Sequence, residues 1–117
     1  TGHDGSLSTG HANSPKDMLS RLESMVLMGM DLPMGAVQRQ IASGIDIIVH
    51  LGRLRDKSRK VLEVSEILDY QDGEILVSPL YRFEETGEKD GKIQGTWRKM
   101  DDLVHTQKLL AAGYKEV

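Results

Sequence analysis

Apolar residues recur at helical spacing after a strong helix-start signal near residue 14. Ser14 is a favourable N-cap and Pro15 suits the first helical position, so we expect a helix that ends at Gly29. Its buried face is predicted to carry Met18, Leu22, Met25 and Val26. The first element of regular structure with a complete set of boundary signals is therefore a helix over residues 15–29.

A second helical pattern follows directly. Asp31 is expected to cap this helix, Pro33 falls in its first turn, and Gly44 ends it. Its buried stripe is predicted to be Met34, Val37, Ile41 and Ala42. Residues 14–44 are thus predicted to form two consecutive amphipathic helices.

The remaining apolar pattern predicts strands and one last helix. Short β-branched or alternating runs are separated by turn signals, and Asp90-Gly91 is typical of a hairpin. The predicted strands are residues 5–12, a buried strand at 45–49, then 61–67, 74–83 and 92–97, with a helix at 100–112. The helices between the first two strands allow those strands to lie parallel in one sheet, while the later strands are expected to be mostly antiparallel. The pattern as a whole indicates a mixed α/β fold.

Composition narrows the class of protein. The chain has 117 residues, 38% of them hydrophobic and 28% charged, which suits one globular domain. A net charge of -3 gives no electrostatic reason to expect nucleic acid as the main partner. The absence of cysteine excludes disulfides and zinc–thiolate sites, and no apolar run approaches the roughly 20 residues that span a bilayer. A cytosolic location is the default expectation.

The first fourteen residues concentrate the candidate chemistry. His3 and His11 stand among hydroxyl side chains, including Ser8 and Thr9, which can contact phosphate oxygens. A different reading places a metal between His3, Asp4 and His11. Solvated loop histidines are an equally common outcome for such a pattern, and Thr9 fits a structural role as well as a binding role. Composition alone leaves these alternatives open.

The most basic part of the chain lies between two predicted strands. Its cations are Arg53, Arg55, Lys57, Arg59 and Lys60. Such a run is most often a solvated hairpin. The sharper hypothesis assigns Arg53, Arg55 and Arg59 to contact with a neighbouring subunit or with anionic lipid.

The opening segment "TGHDGSLSTGHANS" resembles the histidine box of the type II/type IV secretion ATPases, and most of all that of the CpaF-type ATPases of the tight-adherence (Flp) pilus. The matching positions are Thr1, Gly2, His3, Gly5, Ser6, Thr9, His11, Ala12, Asn13 and Ser14. The likeness continues through "SRLESMVLM" and "IASGIDIIVHLGRLRDKSRKVLEVSEIL" to "LYRFEETG". Gly10 departs from the pattern, since many relatives carry Leu or Ile there.

The resemblance implies that residues 1–117 are a single partial domain, the C-terminal portion of a RecA-like P-loop NTPase domain. Relatives carry Walker A and Walker B segments before the histidine box, and this sequence contains no G-x-x-x-x-G-K-[ST] motif. His3 and His11 then take the catalytic positions near the γ-phosphate, and Ser8 and Thr9 become nucleotide-proximal contacts. ATP and Mg²⁺ are implied for the full-length protein, and the isolated chain is expected to be inactive.

The resemblance also implies a setting. The full-length protein would be a hexamer at the inner face of the cell membrane, peripheral and cytoplasmic, passing work to an inner-membrane platform protein. The alternatives are a metal-dependent phosphohydrolase using His3, Asp4 and His11, and a non-catalytic interaction module. A partial sheet would expose an edge, so we expect self-association through the first strand or first helices.

Overall fold

The computed structural model describes residues 7–29 and 33–115, and it has a four-stranded sheet with helices packed on one side. The elements are α1 (Pro15–Gly29), α2 (Met34–Gly44), β1 (Ile47–Arg53), β2 (Arg59–Gln71), β3 (Glu74–Lys89), β4 (Lys92–Lys99) and α3 (Gln107–Ala111). The strands follow chain order across the sheet, and every neighbouring pair is antiparallel. Short turns between successive strands dictate this meander. The mixed α/β fold expected from the sequence is confirmed.

Helix α1 begins and ends where its signals predict, but its buried face is rotated. Leu19 is buried, whereas Met25, expected in the core, is 64% exposed. The helix lies on the sheet along the line through Pro15, Leu19 and Val26, so Met18 and Met25 fall on its flank. The expectation of a Met-lined buried face was therefore wrong for Met25.

Helix α2 ends at Gly44 as predicted and buries Val37 and Ile41. Pro33 is its N-cap residue rather than part of its first turn, and Met34 is exposed. The expected cap at Asp31 lies outside the described residues. Val37 and Ile41 join Leu19 and Ile67 in the main core.

The two faces of the sheet have different coverings. We call the side that carries Ile48, Ser65 and Ile67 the helix face, because α1 and α2 pack against it through the main core. The other side, which we call the open face, carries Val49, paired with Val64 on β2, and beyond it Tyr81 on β3. Successive side chains in a strand point to opposite faces, so this division follows from the register.

Two predicted strands differ from the structure. Residues 7–12 form no strand, and the rest of the predicted strand 5–12 lies outside the described residues. Strand β1 runs from Ile47 rather than from residue 45 and is not buried, because it ends the sheet and only one of its faces meets the helices. The expected parallel pair of first strands is accordingly not present among the described residues.

The predicted helix 100–112 forms only at its end, as α3. Residues 100–106, which we call the strap, are irregular, and three of their backbone amides bond to the sheet. Met100 N donates to Leu80 O at 2.7 Å, and Val104 N and His105 N donate to the Glu66 carboxylate at 2.8 and 2.9 Å. Glu66 is 1% exposed, so the strap covers part of the open face.

Candidate functional site

The described part of the histidine-box segment is an irregular, exposed run that leads into α1. Ser8, Thr9 and His11 are all exposed to solvent. His3 and Asp4, and with them the predicted meeting of the two histidines, lie outside the described residues. A strand at residues 7–12 would need a hydrogen-bonded neighbour, and the described sheet contains none for it.

The cap of α1 fixes the direction from which this segment arrives. Asp17 N donates to Ser14 Oγ at 3.0 Å, and Asn13 N donates to the Asp17 carboxylate at 2.9 Å. Arg21 pairs with the same carboxylate at 3.0 Å, one turn further along. The Asn13 amide and then Arg21 hold the pKa of Asp17 below its ordinary value. The sequence assignment of Ser14 to capping therefore agrees with this geometry, and His11 is held close to the start of the helix.

An open groove of about 550 Å³ lies between this segment and α1. Its lining residues are Thr9, Gly10, His11, Met18, Ser20, Arg21, Leu22, Ser24 and Met25. The structure thus brings Thr9 and His11 to one groove but does not place Ser8 in its lining. Thr9, Ser20, Ser24 and His11 can donate to phosphate oxygens, while the methionines and Leu22 offer an apolar surface.

Gly10 allows the segment to approach the helix closely. A Cβ atom at Gly10 would lie 2.8 Å from the Sδ and Cε atoms of Met18, so a larger residue has to push that side chain aside. The departure of Gly10 from the family pattern is matched here by the long side chain of Met18, which fills the space. Met18 and Met25 serve this groove rather than the main core.

The basic run forms the end of the β1–β2 hairpin, and its arginines have different surroundings. Arg53 lies directly opposite Arg59 in the register, and both are exposed. Two like charges at opposed positions repel one another. Arg55 instead forms a forked pair with Glu85, with Nη1 donating to Oε2 at 2.8 Å, and its Nη2 lies 3.6 Å from Glu88. These carboxylates raise the pKa of Arg55, and Arg55 in turn lowers the pKa of Glu85.

Asp56 ties the same hairpin to the start of β4, a contact that the sequence analysis missed. Its carboxylate accepts hydrogen bonds from the Ser58 hydroxyl and from the backbone amides of Ser58 at 2.9 Å and Ile93 at 2.8 Å. These donors, led by the Ser58 hydroxyl, lower the pKa of Asp56 to about 2. The Asp56-x-Ser58 spacing indicates a local turn, but nothing in the sequence points to Ile93.

The metal-site hypothesis gains no support from the described residues. Within residues 7–29 and 33–115, no group of three or more His, Asp or Glu side chains is placed to hold a metal ion. Of its proposed ligands, His3 and Asp4 are not described and His11 is exposed. Among the described helices, none is long and apolar enough to cross a membrane.

Comparison with known proteins agrees with the family resemblance described in the sequence analysis. Residues 1–107 match the family model described as Type II/IV secretion system protein. Two Mycobacterium tuberculosis proteins named as conjugal transfer proteins, from strains CDC 1551 / Oshkosh and ATCC 25618 / H37Rv, are each 31% identical over 75 residues. That alignment covers 64% of this chain and 21% of each relative, so the chain spans about a fifth of the length of the curated relatives that it matches.

Proposed function

Since the chain belongs to the type II/IV secretion system protein family, we propose that it is part of an ATPase motor that powers pilus assembly or protein secretion. The observation that carries this proposal is the family match, which runs through residues 1–107 and includes the whole histidine-box segment. The family is typically one of ATPases, which supports ATP hydrolysis as the reaction. The finer assignment is to the CpaF-type ATPases, with this chain forming the C-terminal portion of a RecA-like domain.

In this proposal the chain contributes contacts to ATP but not its principal anchor. The groove beside α1 offers hydroxyl and imidazole donors from Thr9 and His11, and these suit phosphate oxygens. Its one arginine, Arg21, is already paired with Asp17, and the sequence has no Walker lysine. The donor set therefore fits a role beside the γ-phosphate, with ATP and Mg²⁺ held mainly by Walker segments from outside this sequence.

The proposed role of each residue follows from this separation between phosphate contacts in this chain and Walker segments outside it. When bound to the full-length protein, Mg²⁺ would supply stabilisation of the negative charge that develops as water attacks the γ-phosphate of ATP. His11, together with His3, would hydrogen-bond near the γ-phosphate and respond to its loss, since an imidazole N–H can donate to a phosphate oxygen. Ser8 and Thr9 would orient the phosphate oxygens. The cap formed by Ser14 and Asp17 keeps His11 at a set distance from α1 and so links the nucleotide to the helix layer.

The hairpin end is the proposed contact with a neighbouring subunit of a hexamer. Arg53 and Arg59 are adjacent, exposed and of like charge, so an acidic or phosphate group placed between them would relieve their repulsion. Arg55 and Asp56 hold the hairpin in shape through Glu85 and Ile93. Loss of vesicle binding rather than of assembly in an Arg53→Ala, Arg59→Ala variant would assign the pair to anionic lipid instead.

The proposed setting is the cytoplasmic face of the inner membrane. The motor would be peripheral there and would act on an inner-membrane platform protein of the secretion or pilus machine. A net charge of -3 argues against nucleic acid as the direct partner of this chain.

The test is ATP hydrolysis by the full-length protein that contains this chain, comparing His11→Ala with His105→Gln. His105 lies on the strap, where its Nε2 is 2.7 Å from Leu68 O, and glutamine retains a polar group there. We expect His11→Ala to lower kcat about tenfold or more and His105→Gln to leave it nearly unchanged. The isolated 117-residue chain should show negligible magnesium-dependent hydrolysis.

Two results would overturn the proposal. One is an unchanged kcat in correctly assembled His11→Ala protein. The other is robust ATP hydrolysis by the isolated chain, because a chain without a phosphate loop has no lysine to hold the β- and γ-phosphates.

A further inference from the structure

The groove beside α1 is lined by one arginine, and that side chain is anchored through a single nitrogen. Arg21 shares the groove with Thr9 and His11. Its Nε donates to Asp17 Oδ2 at 3.0 Å, and neither of its two Nη groups donates to another described residue. A guanidinium has five N–H donors, four of them on the Nη atoms. The pairing with Asp17 therefore uses one donor and leaves four available to a ligand.

Asp17 connects Arg21 to the histidine-box segment. One oxygen, Asp17 Oδ2, accepts hydrogen bonds both from Arg21 Nε and from Asn13 N, the latter at 2.9 Å. Asn13 lies two residues after His11, in the run of chain that forms the other side of the groove. The carboxylate thus joins the guanidinium on the α1 side of the groove to the backbone of the segment that carries His11.

The pairing of Asp17 with Arg21 contributes little to the stability of α1. The two side chains are 33% and 53% exposed, and exposed ion pairs one helical turn apart are weak. The helix also has its own cap, because Asp17 N donates to Ser14 Oγ. Substitution of Arg21 should therefore leave α1 folded, so that its contribution to ligand binding can be measured by itself.

The surroundings of Arg21 suit a phosphate group. The side chains of Thr9 and His11 lie on the other side of the groove, and Ser24 follows Arg21 by one turn of α1. Each of these three side chains can donate a hydrogen bond to a phosphate oxygen. None of the described lining residues is acidic, and Asp17 is not part of the lining. An anion in the groove would therefore meet several donors and one positive charge.

We propose that Arg21 is a catalytic residue that binds the γ-phosphate of ATP through its Nη groups, and that Asp17 is the positioning residue that orients it. This inference rests on the proposed function, which puts the γ-phosphate beside Thr9 and His11. The two Nη groups form a planar fork that matches two oxygens of one phosphate, and both hydrogen bonds are charge-assisted. Arg21 keeps its protons throughout, because a guanidinium is not deprotonated in proteins. Its charge stabilises the negative charge on the transferred group.

The test uses the full-length protein that contains this chain and measures Kd, with Mg²⁺, for ADP and for an ATP analogue that resists hydrolysis. Arg21→Ala should weaken binding of the ATP analogue about tenfold or more and leave ADP binding nearly unchanged, because ADP has no γ-phosphate. Arg21→Lys keeps the charge without the fork and should restore part of the affinity. The matched control is Arg39→Ala, on α2, where the guanidinium lies 5.1 Å from the centroid of the Tyr70 ring. This control should bind both nucleotides like wild type.

The positioning role of Asp17 is tested by combining variants. Asp17→Asn retains an acceptor oxygen but removes the charge that holds Arg21, so the preference for the ATP analogue over ADP should fall several-fold. In an Arg21→Ala background the same substitution should cause no further loss, because its effect is transmitted through the guanidinium. A residue that only stabilised α1 would give the same loss in both backgrounds, and that result would overturn the positioning role.

Circular dichroism identifies any variant that fails to fold, and if Arg21→Ala is one of them, Arg21→Lys decides. An unchanged preference for the ATP analogue in folded Arg21 variants overturns this inference alone, since His11→Ala tests the proposed function separately. Equal weakening of both nucleotides also overturns it, because the contact would then not be to the γ-phosphate. A wild-type protein that binds neither nucleotide overturns the proposed function and this inference with it.

Discussion

The two faces of the sheet are closed by different means. On the helix face, α1 and α2 bury Leu19, Val37, Ile41 and Ile67 in one apolar cluster. On the open face, the described chain supplies the strap, held mainly by hydrogen bonds to the buried carboxylate of Glu66, while Val49, Leu51 and Trp97 stay half-exposed or more. The helix face is thus buried in a packed hydrophobic core, and the open face is a partly covered apolar surface.

The two faces are therefore stabilised by different interactions. Burial of apolar side chains stabilises the helix face without any partner. The open face depends instead on directional hydrogen bonds between the strap and Glu66, and much of its apolar surface stays exposed among the described residues.

The largest expected loss of stability comes from a substitution in the hydrophobic core of the helix face. Ile67→Ala removes a side chain that is 2% exposed and leaves a cavity between the helices and the sheet, so the free energy of unfolding should fall by about 2–5 kcal/mol. Val104→Ala, on the strap and mostly exposed, should change it by less than about 0.5 kcal/mol. Urea unfolding followed by circular dichroism measures both. Equal losses of unfolding free energy for the two variants would mean that the helix face is no better packed than the open face.

A smaller loss is expected at the bond between strap and sheet. Glu66→Ala leaves the amides of Val104 and His105 without their acceptor, which should cost about 1–3 kcal/mol. The strap should also become sensitive to trypsin, since Lys99 precedes it and Lys108 follows it. Glu74→Ala, at an exposed position at the start of β3, is the matched control. A strap that stays as resistant as in the wild-type chain would show that Glu66 does not hold it.

The smallest effect is the dependence of stability on pH at the hairpin end. Asp56 has a folded-state pKa of about 2 against an ordinary 3.8, so its ionised form favours the folded state. Its contribution is complete above the ordinary value and is lost as the pH falls from 3.8 toward about 2. Subtracting the acid-unfolding curve of Asp56→Asn from that of wild type isolates this group from Asp17, Glu63 and Glu85, whose pKa values are also lowered. A flat difference through that window would contradict the assignment.

Local signals in the sequence predicted the elements that depend on local contacts. Helix α1 begins at its Ser-Pro signal and ends at Gly29, and the Asp72-Gly73 and Asp90-Gly91 turns both have the positive φ angles that this dipeptide favours. The one-sided exposure of β1 was missed because a short apolar run reads as buried whether one or both of its faces are covered. The strap was missed because its apolar spacing also suits a helix, and its real partner, Glu66, is 38 residues away.

In the candidate site, too, local contacts could be predicted from the sequence and long-range contacts could not. The cap formed by Ser14 with Asp17, and the pairing of Asp17 with Arg21, join residues within one turn of α1 and could be anticipated. The groove containing Thr9 and His11 depends on how the segment folds back on the helix, which spacing does not specify. The pairing of Arg55 with Glu85 joins residues 30 positions apart through the register of the sheet. Because Arg55 is paired, Arg53 and Arg59 are the more available arginines for the predicted contact with a neighbouring subunit or with lipid.

Hydrogen exchange of single amides along β1 tests most directly the register that defines the two faces of the sheet. In the 117-residue chain, the amides of Ile48 and His50 face β2 and should exchange slowly, whereas those of Val49 and Leu51 face away from β2 and should exchange fast. Slow exchange of Val49 and Leu51 together with fast exchange of Ile48 and His50 would contradict this register and the division of the sheet into a helix face and an open face.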